Sequence, residues 1–355
     1  MKLGKKTFYL VLFLILILPL ILSFACGKSP VETDIAKDEI KEEAVDEEKE
    51  IEVIEEEEII PEIEEEVEDV KESIPDKLDK IELTYSLEFR QYLESLGEDY
   101  LENILYDEVA LKEEYDLFEW KNIFYEEGII FTVDEDIFPS DWYEPDINAK
   151  AESLAESEIE RSRKIILSAL DKYPAEVLKK KLEKLYVLKS MNFFGVDYGA
   201  TYAGNYVYVA NDGIDMGYTD LVIEKEFHHE FSSVLFINYY YLFKESEWRQ
   251  INPADFVYFD EEMRGAAAIK EEKASQEFDP ELHEVGFLYE YAQSDLENDF
   301  NSFAENIFAN DGNFFEIIEE YEKLSLKLEL IIEFYNSINP KFTIKYFKEI
   351  SSFDT

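Results

Sequence analysis

Hydrophobic and polar positions divide the chain into three stretches with different patterns. The first is an apolar run over residues 8–22, broken only by Pro19. It follows Lys2, Lys5 and Lys6 and precedes Ser23-Phe24-Ala25-Cys26. The second, residues 31–75, carries 22 acidic residues against four lysines, with isoleucine and valine interspersed and neither glycine nor an aromatic residue. The third begins near Tyr85, where aromatic residues return and apolar positions recur with the periods of helices and strands.

Within the third stretch the spacing predicts helices over 86–105 and 114–124, then a β-prone run over 128–133. Residues 139–145 are rich in turn formers and read as a loop. A long helix is expected over 148–172, with Ile159, Ile165, Ile166, Ala169 and Leu170 on its apolar side. Pro174 starts another at its first turn, continuing to about 182. Residues 184–188 and 206–210 have the composition of strands, separated by a loop carrying Gly195 and Gly199. After the turn Asn211-Asp212-Gly213, Thr219 or Asp220 caps a strongly apolar helix over 221–243. Residues 287–292 read as helical or irregular. Helices are expected over 295–309, 314–336 and 342–350. The class is α+β, mostly helical with a small sheet, and no internal repeat is present.

The first stretch has the layout of a secretory signal: basic start, apolar middle, small residue before the break. Cys26 is the only cysteine in 355 residues. Its place at the end of that segment suits a lipoprotein, whose thiol takes the lipid and becomes the new N-terminus. The alternative is an uncleaved anchor, since the run approaches the roughly 20 residues that span a bilayer. The acidic stretch repels itself and has too little to bury, so it reads as an extended tether. The expected organisation is a signal peptide over 1–25, an acidic tether over 26–80, a helical N-terminal part over 81–160 and the site-bearing domain over 161–355. The expected location is the bacterial cell envelope, facing the periplasm or the exterior, with the membrane engaged through a lipid at Cys26.

Charge and cysteine count narrow the chemistry. A net charge of −50 makes nucleic acid a poor partner, because phosphate binding needs a basic patch. Once Cys26 carries lipid, no thiol remains for a disulfide, a metal or a nucleophile, so the fold must rest on its core; 27 Phe and 24 Tyr can supply one. A Gly-x-Ser-x-Gly elbow and a phosphate-cradling glycine loop are both lacking in the sequence.

The one constellation with catalytic character is Glu226-Phe227-His228-His229-Glu230-Phe231-Ser232-Ser233 in the apolar helix. A His-Glu pair inside such a helix is the first half of the zinc-peptidase signature. There one histidine holds the metal, the glutamate takes a proton from metal-bound water, and a second histidine four residues on completes the pair. Here that position is Ser233. Glu226, His229 and Ser233 fall within one sector of about 60° on a helical wheel, so Glu226 is placed to supply an oxygen ligand; His228 points about 100° away. Asp299, Glu297 or Glu305 could reach in from the later helix. One histidine with carboxylates would suit calcium, manganese or weakly held zinc. The plainer reading makes His228 and His229 core residues with satisfied ring nitrogens. Ser294-Asp295-Leu296-Glu297 reads as a capping box. His283 falls in a loop, and Tyr291 suits packing better than oxyanion stabilisation.

Over about 165–340 the chain resembles a zinc-binding, zincin-like metallopeptidase family of bacterial lipoproteins. The resemblance is carried by Leu170-Asp171-Lys172-Tyr173-Pro174, Phe194-Gly195, Gly199-Ala200-Thr201-Tyr202 and Tyr206-Val207-Tyr208-Val209-Ala210-Asn211. It continues in Phe227-His228-His229-Glu230-Phe231, Tyr291-Ala292, Asp299-Phe300 and Ala304-Glu305. It implies a zincin-like fold, zinc as cofactor, His229 as first ligand, Glu230 as general base and a peptide or protein substrate. Ser233 stands where the family has its second histidine, and Asn298 where it has a glutamate ligand. The resemblance therefore implies either a peptidase with a modified metal site or an inactive binding module on the same fold. A third expectation is an unrelated helical lipoprotein that displays an interaction domain.

Overall fold

The structure is a computed structural model describing residues 73–259, 265–309 and 313–350. The expected signal segment, Cys26 and all but the last part of the acidic tether lie outside the described residues. Residues 70–355 group as one compact unit. No helix among the described residues is long and apolar enough to cross a membrane.

Four helices open the described chain: α1 (Ile74–Thr84), α2 (Leu87–Ser95), α3 (Glu98–Ile104) and α4 (Glu108–Ile123). The single helix expected over 86–105 is two, because Gly97 adopts φ +89° between them, a conformation that breaks a helix. These helices bury their own cluster, including Leu78, Ile81, Phe89, Leu93, Leu101 and Leu105. Glu114 is buried there and accepts hydrogen bonds from the hydroxyls of Tyr92 and Tyr100.

Strands β1 (Ile129–Ile130) and β2 (Lys150–Ser153) follow, then α5 (Glu156–Leu170) and α6 (Ala175–Lys181). The long helix expected over 148–172 starts only at Glu156, since its first residues form β2. Next come β3 (Lys184–Phe193), β4 (Val196–Tyr198), β5 (Ala200–Ala203) and β6 (Tyr206–Ala210). β3 pairs in parallel with β1 and β6, and antiparallel with β2 and β4. β5 pairs antiparallel with β6 and ends the sheet order β1-β3-β6-β5. β1 falls in the β-prone run expected over 128–133, while β2 comes from residues that the sequence presents as helical.

Both faces of the sheet are covered, which is why β3 and β6 read as apolar runs without alternation. Leu185, Val187, Val207 and Val209 join the main helical core. Tyr186, Leu188, Tyr208 and Ala210 face a second cluster closed by Ile137, Phe138 and Ala149.

After the sheet come α7 (Asp220–Asn238), α8 (Glu245–Ile251), the short α9 (Ala266–Lys270) and the one-turn α10 (Pro280–His283). The chain continues with α11 (Leu296–Phe308), α12 (Phe314–Glu320), α13 (Glu322–Ile338) and α14 (Ile344–Ile350). α7 is buried over most of its circumference by Ile223, Phe227, Phe231, Val234 and Leu235, as an all-round apolar helix must be. It packs on α5, α11, β5 and β6. It stops at Asn238, earlier than the apolar pattern predicts; a separate turn of 3-10 helix, Tyr240–Leu242, carries the remaining aromatics. The helix expected over 314–336 breaks at Tyr321, whose backbone is extended.

Candidate functional site

Thr219 starts α7 by accepting a hydrogen bond from the Val222 amide at 3.2 Å, as the sequence suggests. Asp295 does the same for α11, accepting from the Asn298 amide at 2.8 Å. The capping-box reading needs Ser294 as the cap; Asp295 takes that role, and Ser294 Oγ instead donates to the Tyr291 carbonyl at 2.8 Å. These caps set the registers of two packed helices. One face of α7 (Glu226, His229, Ser233) then meets one face of α11 (Asn298, Asn301, Glu305).

His229 lies between the helices with 5% of its surface exposed. Its Nδ1 is 2.7 Å from Glu305 Oε2, and its Nε2 is 3.1 Å from Asn298 Oδ1. Glu305 also accepts from the Tyr289 hydroxyl at 2.6 Å, with Lys225 Nζ 3.7 Å away. Burial opposes the charge on Glu305, but the His229 hydrogen bond and Lys225 hold its carboxyl below the usual range. Burial likewise opposes the charge on His229, and Glu305 outweighs it, pushing the imidazole up to about 10. Ser233 Oγ accepts from Asn301 Nδ2 at 2.7 Å.

Glu226 and Glu230 behave differently. Among the described residues neither carboxyl has a hydrogen bond or an ion pair. Burial pushes Glu226 up to about 7, with His229 opposing, and Glu230 up to about 8. Gly199, just before β5, passes so close to Glu226 that a Cβ there would sit 2.5 Å from its Oε1. Gly265, at φ +81°, crosses over Tyr291 and Asn298; its Cβ would come 2.7 Å from Asn298 Nδ2. Tyr291 stacks beside the His229 ring at 6.2 Å. The start of β5, the strand that ends the sheet order, therefore lies against the Glu226 carboxyl, while Tyr291 lies beside the His229 ring.

The remaining candidates lie elsewhere. Asp299 points to the opposite side of α11, where its Oδ2 accepts from Trp248 Nε1 (2.9 Å), Tyr258 Oη (2.7 Å) and Lys327 Nζ (2.7 Å). It is not placed with His229. Asn298 and Asp299 are adjacent in the chain, and about 100° of helix rotation separates their directions. His228 is fully buried, with Tyr173 Oη 2.9 Å from Nδ1 and Glu224 Oε1 3.4 Å from Nε2, so the core reading holds for it. His283 is buried and its Nε2 donates to the Leu288 carbonyl at 3.0 Å. Cys26 lies outside the described residues.

The donor set does not fit a zinc ion. Zinc needs an imidazole lone pair, and both His229 nitrogens face acceptors. The positions expected to add ligands hold a hydroxyl engaged by Asn301 and an amide engaged by the ring. Among the described residues no three His, Cys, Asp or Glu side chains are grouped to hold a metal.

The sequence alone does not single out Tyr289, Lys225, Gly265 or the Lys327 pair, and it marks Gly199 only as a loop glycine and part of the family resemblance. Lys327 does leave a signal: it interrupts the buried stripe Leu324, Leu328, Ile331 of α13. No protein-family model, curated protein or solved structure matches the chain.

Proposed function

We propose that this chain is a lipid-anchored protein of the bacterial envelope that takes an extended peptide segment along the β5 edge and holds it uncut. One observation carries the reading: β5 ends the sheet order, pairing with β6 among the described residues, and Gly199 at its start lies against the Glu226 carboxyl. A strand that ends a sheet can offer backbone donors and acceptors to an added strand, and neighbouring side chains then select among peptides. A chain of net charge −50 favours peptides with basic side chains. The zincin-like resemblance supports the same placement, since in that fold the strand beside the His-Glu helix aligns a peptide. Holding is preferred to cutting because His229, the residue that would have to bind the metal, gives both ring nitrogens to Glu305 and Asn298. The lipid at Cys26 and the acidic tether would keep the folded part at the membrane yet clear of its surface.

The test is fluorescence anisotropy of labelled lysine-containing peptides with the full chain in detergent, followed by mass spectrometry of the recovered peptide. The reading expects saturable binding, weakened several-fold in the double variant Glu226→Gln/Glu230→Gln, and intact peptide. Absence of binding would remove the proposal; cleavage would replace it with the peptidase reading. In cells, Cys26→Ser should move the chain out of the membrane fraction.

A further inference from the structure

The hydrogen-bond directions around His229 are set by its neighbours. Ser294 has one hydroxyl proton, and the Tyr291 carbonyl takes it at 2.8 Å. Ser294 Oγ can therefore only accept from Asn298, whose Nδ2 lies 2.8 Å away. The same Nδ2 is 2.8 Å from Asp295 Oδ2, again an acceptor. Turning the amide over would set its oxygen against a carboxylate and a spent hydroxyl. Asn298 Oδ1 is thus fixed toward His229 Nε2 at 3.1 Å, and that nitrogen must carry the proton between them.

On the other side of the ring, Glu305 Oε1 receives the Tyr289 hydroxyl at 2.6 Å, with Lys225 Nζ at 3.7 Å. A nearby ammonium and a donated hydroxyl both favour the ionised carboxylate. Oε2, 2.7 Å from Nδ1, is then an acceptor too, and Nδ1 carries the second proton. The ring has no lone pair to give.

We infer that His229 is an imidazolium protonated on both nitrogens, and that this internal cation takes over the part a metal ion plays in a His-Glu helix site, pinning α7 to α11. Ser233 and Asn298, neutral where the motif has ligands, are then the matching half of the arrangement. A neutral hydroxyl and an amide oxygen suit a ring that donates on both sides. A second histidine or a carboxylate would add a competing charge in a buried place. The groups facing the ring (Glu305, Tyr289 through Glu305, Lys225, Glu226, Glu230 and Tyr291) supply a net negative surrounding, which a cation relieves. The inference stands apart from peptide binding: either can fail alone.

The chain has three histidines, which makes a direct test practical. The full chain, labelled with 15N-histidine and held in detergent at pH 8, should show one imidazolium and two neutral rings. His283 has its proton on Nε2, donated to the Leu288 carbonyl. His228 should also show one proton, with Tyr173 on Nδ1 and Glu224 on Nε2. His229→Gln should remove the charged ring's signals. If that variant does not fold, Tyr289→Phe removes the hydroxyl donated to Glu305 and should shift the Nδ1 resonance while both protons stay. A twofold excess of zinc chloride should leave the spectrum unchanged. Three neutral rings, a charged ring assigned to another histidine, or zinc displacing a His229 proton would each overturn the inference.

Discussion

Asn298 Oδ1 faces His229 Nε2 at 3.1 Å, on the side of the ring away from Glu305. An amide that accepts from an imidazole, with its own donors spent on Ser294 and Asp295, sets the whole site. It makes the ring a double donor and so a buried cation paired with a buried carboxylate.

Breaking that pair from one side should be costly. His229→Ala leaves the buried Glu305 carboxylate with only the Tyr289 hydroxyl and the more distant Lys225 ammonium, a loss of about 3 kcal/mol in chemical unfolding. The linkage has a definite sign. A histidine raised from 6.5 to about 10 on folding stabilises fully below pH 6.5, and its contribution is lost as pH rises through about 10. Unfolding curves of the wild type should therefore weaken progressively from about pH 6.5 to about pH 10, and those of His229→Ala should lack that part of the decline.

Glu226 and Glu230, with no hydrogen bond or ion pair among the described residues, act over a lower pH range. Glu226 and Glu230 are raised from 4.5 to about 7 and about 8 by burial. The folded chain keeps protons there that the unfolded chain has released. Their stabilising effect is complete below pH 4.5 and is lost as pH climbs through 7 and 8. The double variant Glu226→Gln/Glu230→Gln should flatten this fall. At pH 8 it should be more stable than wild type, on the order of 2 kcal/mol after solvent screening of the partly exposed carboxyls.

Asp299 and Lys327 form a second buried ion pair on the far side of α11, both with no exposed side-chain surface. Burial raises Asp299 and lowers Lys327 to about 8, with their mutual attraction opposing both shifts. Lys327→Leu alone should cost about 3–5 kcal/mol, because it strands Asp299. The double variant Asp299→Leu/Lys327→Leu should cost less than either single change. A double-mutant cycle by denaturant unfolding measures the difference.

Two glycines beside the site should respond differently to alanine. Gly265 has φ +81° and backs onto Asn298 and Tyr291, so Gly265→Ala should lose about 1–3 kcal/mol. At Gly199 the obstacle is the carboxyl tip of Glu226, which can swing aside. Gly199→Ala should change stability by less than about 1 kcal/mol while weakening peptide binding. Thermal melts and anisotropy on the same samples separate the two effects.

The sequence disclosed the scaffold better than the site. Strands 184–188 and 206–210 and the helix over 295–309 were legible because their apolar runs are continuous and bounded by turn or cap residues. β2 was hidden inside a helical pattern, because a four-residue edge segment with one half-buried side chain has no period of its own. The His-Glu pair drew attention to α7, and Glu305 was among the carboxylates expected to reach it. What sequence could not give was the direction of each side chain around α11. Asn298 and Asp299 are neighbours in the chain, yet one meets His229 and the other Lys327. Nor could it show that Glu305 arrives as an ion-pair partner and not as a co-ligand, since that depends on the amide orientation imposed by Ser294.

Thermal unfolding of the full chain in detergent at pH 7.5, with chelator and with excess zinc, tests most directly the claim that a proton and not a metal completes this helix pair. A ligand that binds only the folded state must raise the midpoint. The account predicts one midpoint in both conditions, unchanged by prior chelation. A rise of several degrees with zinc that disappears in His229→Ala would contradict it.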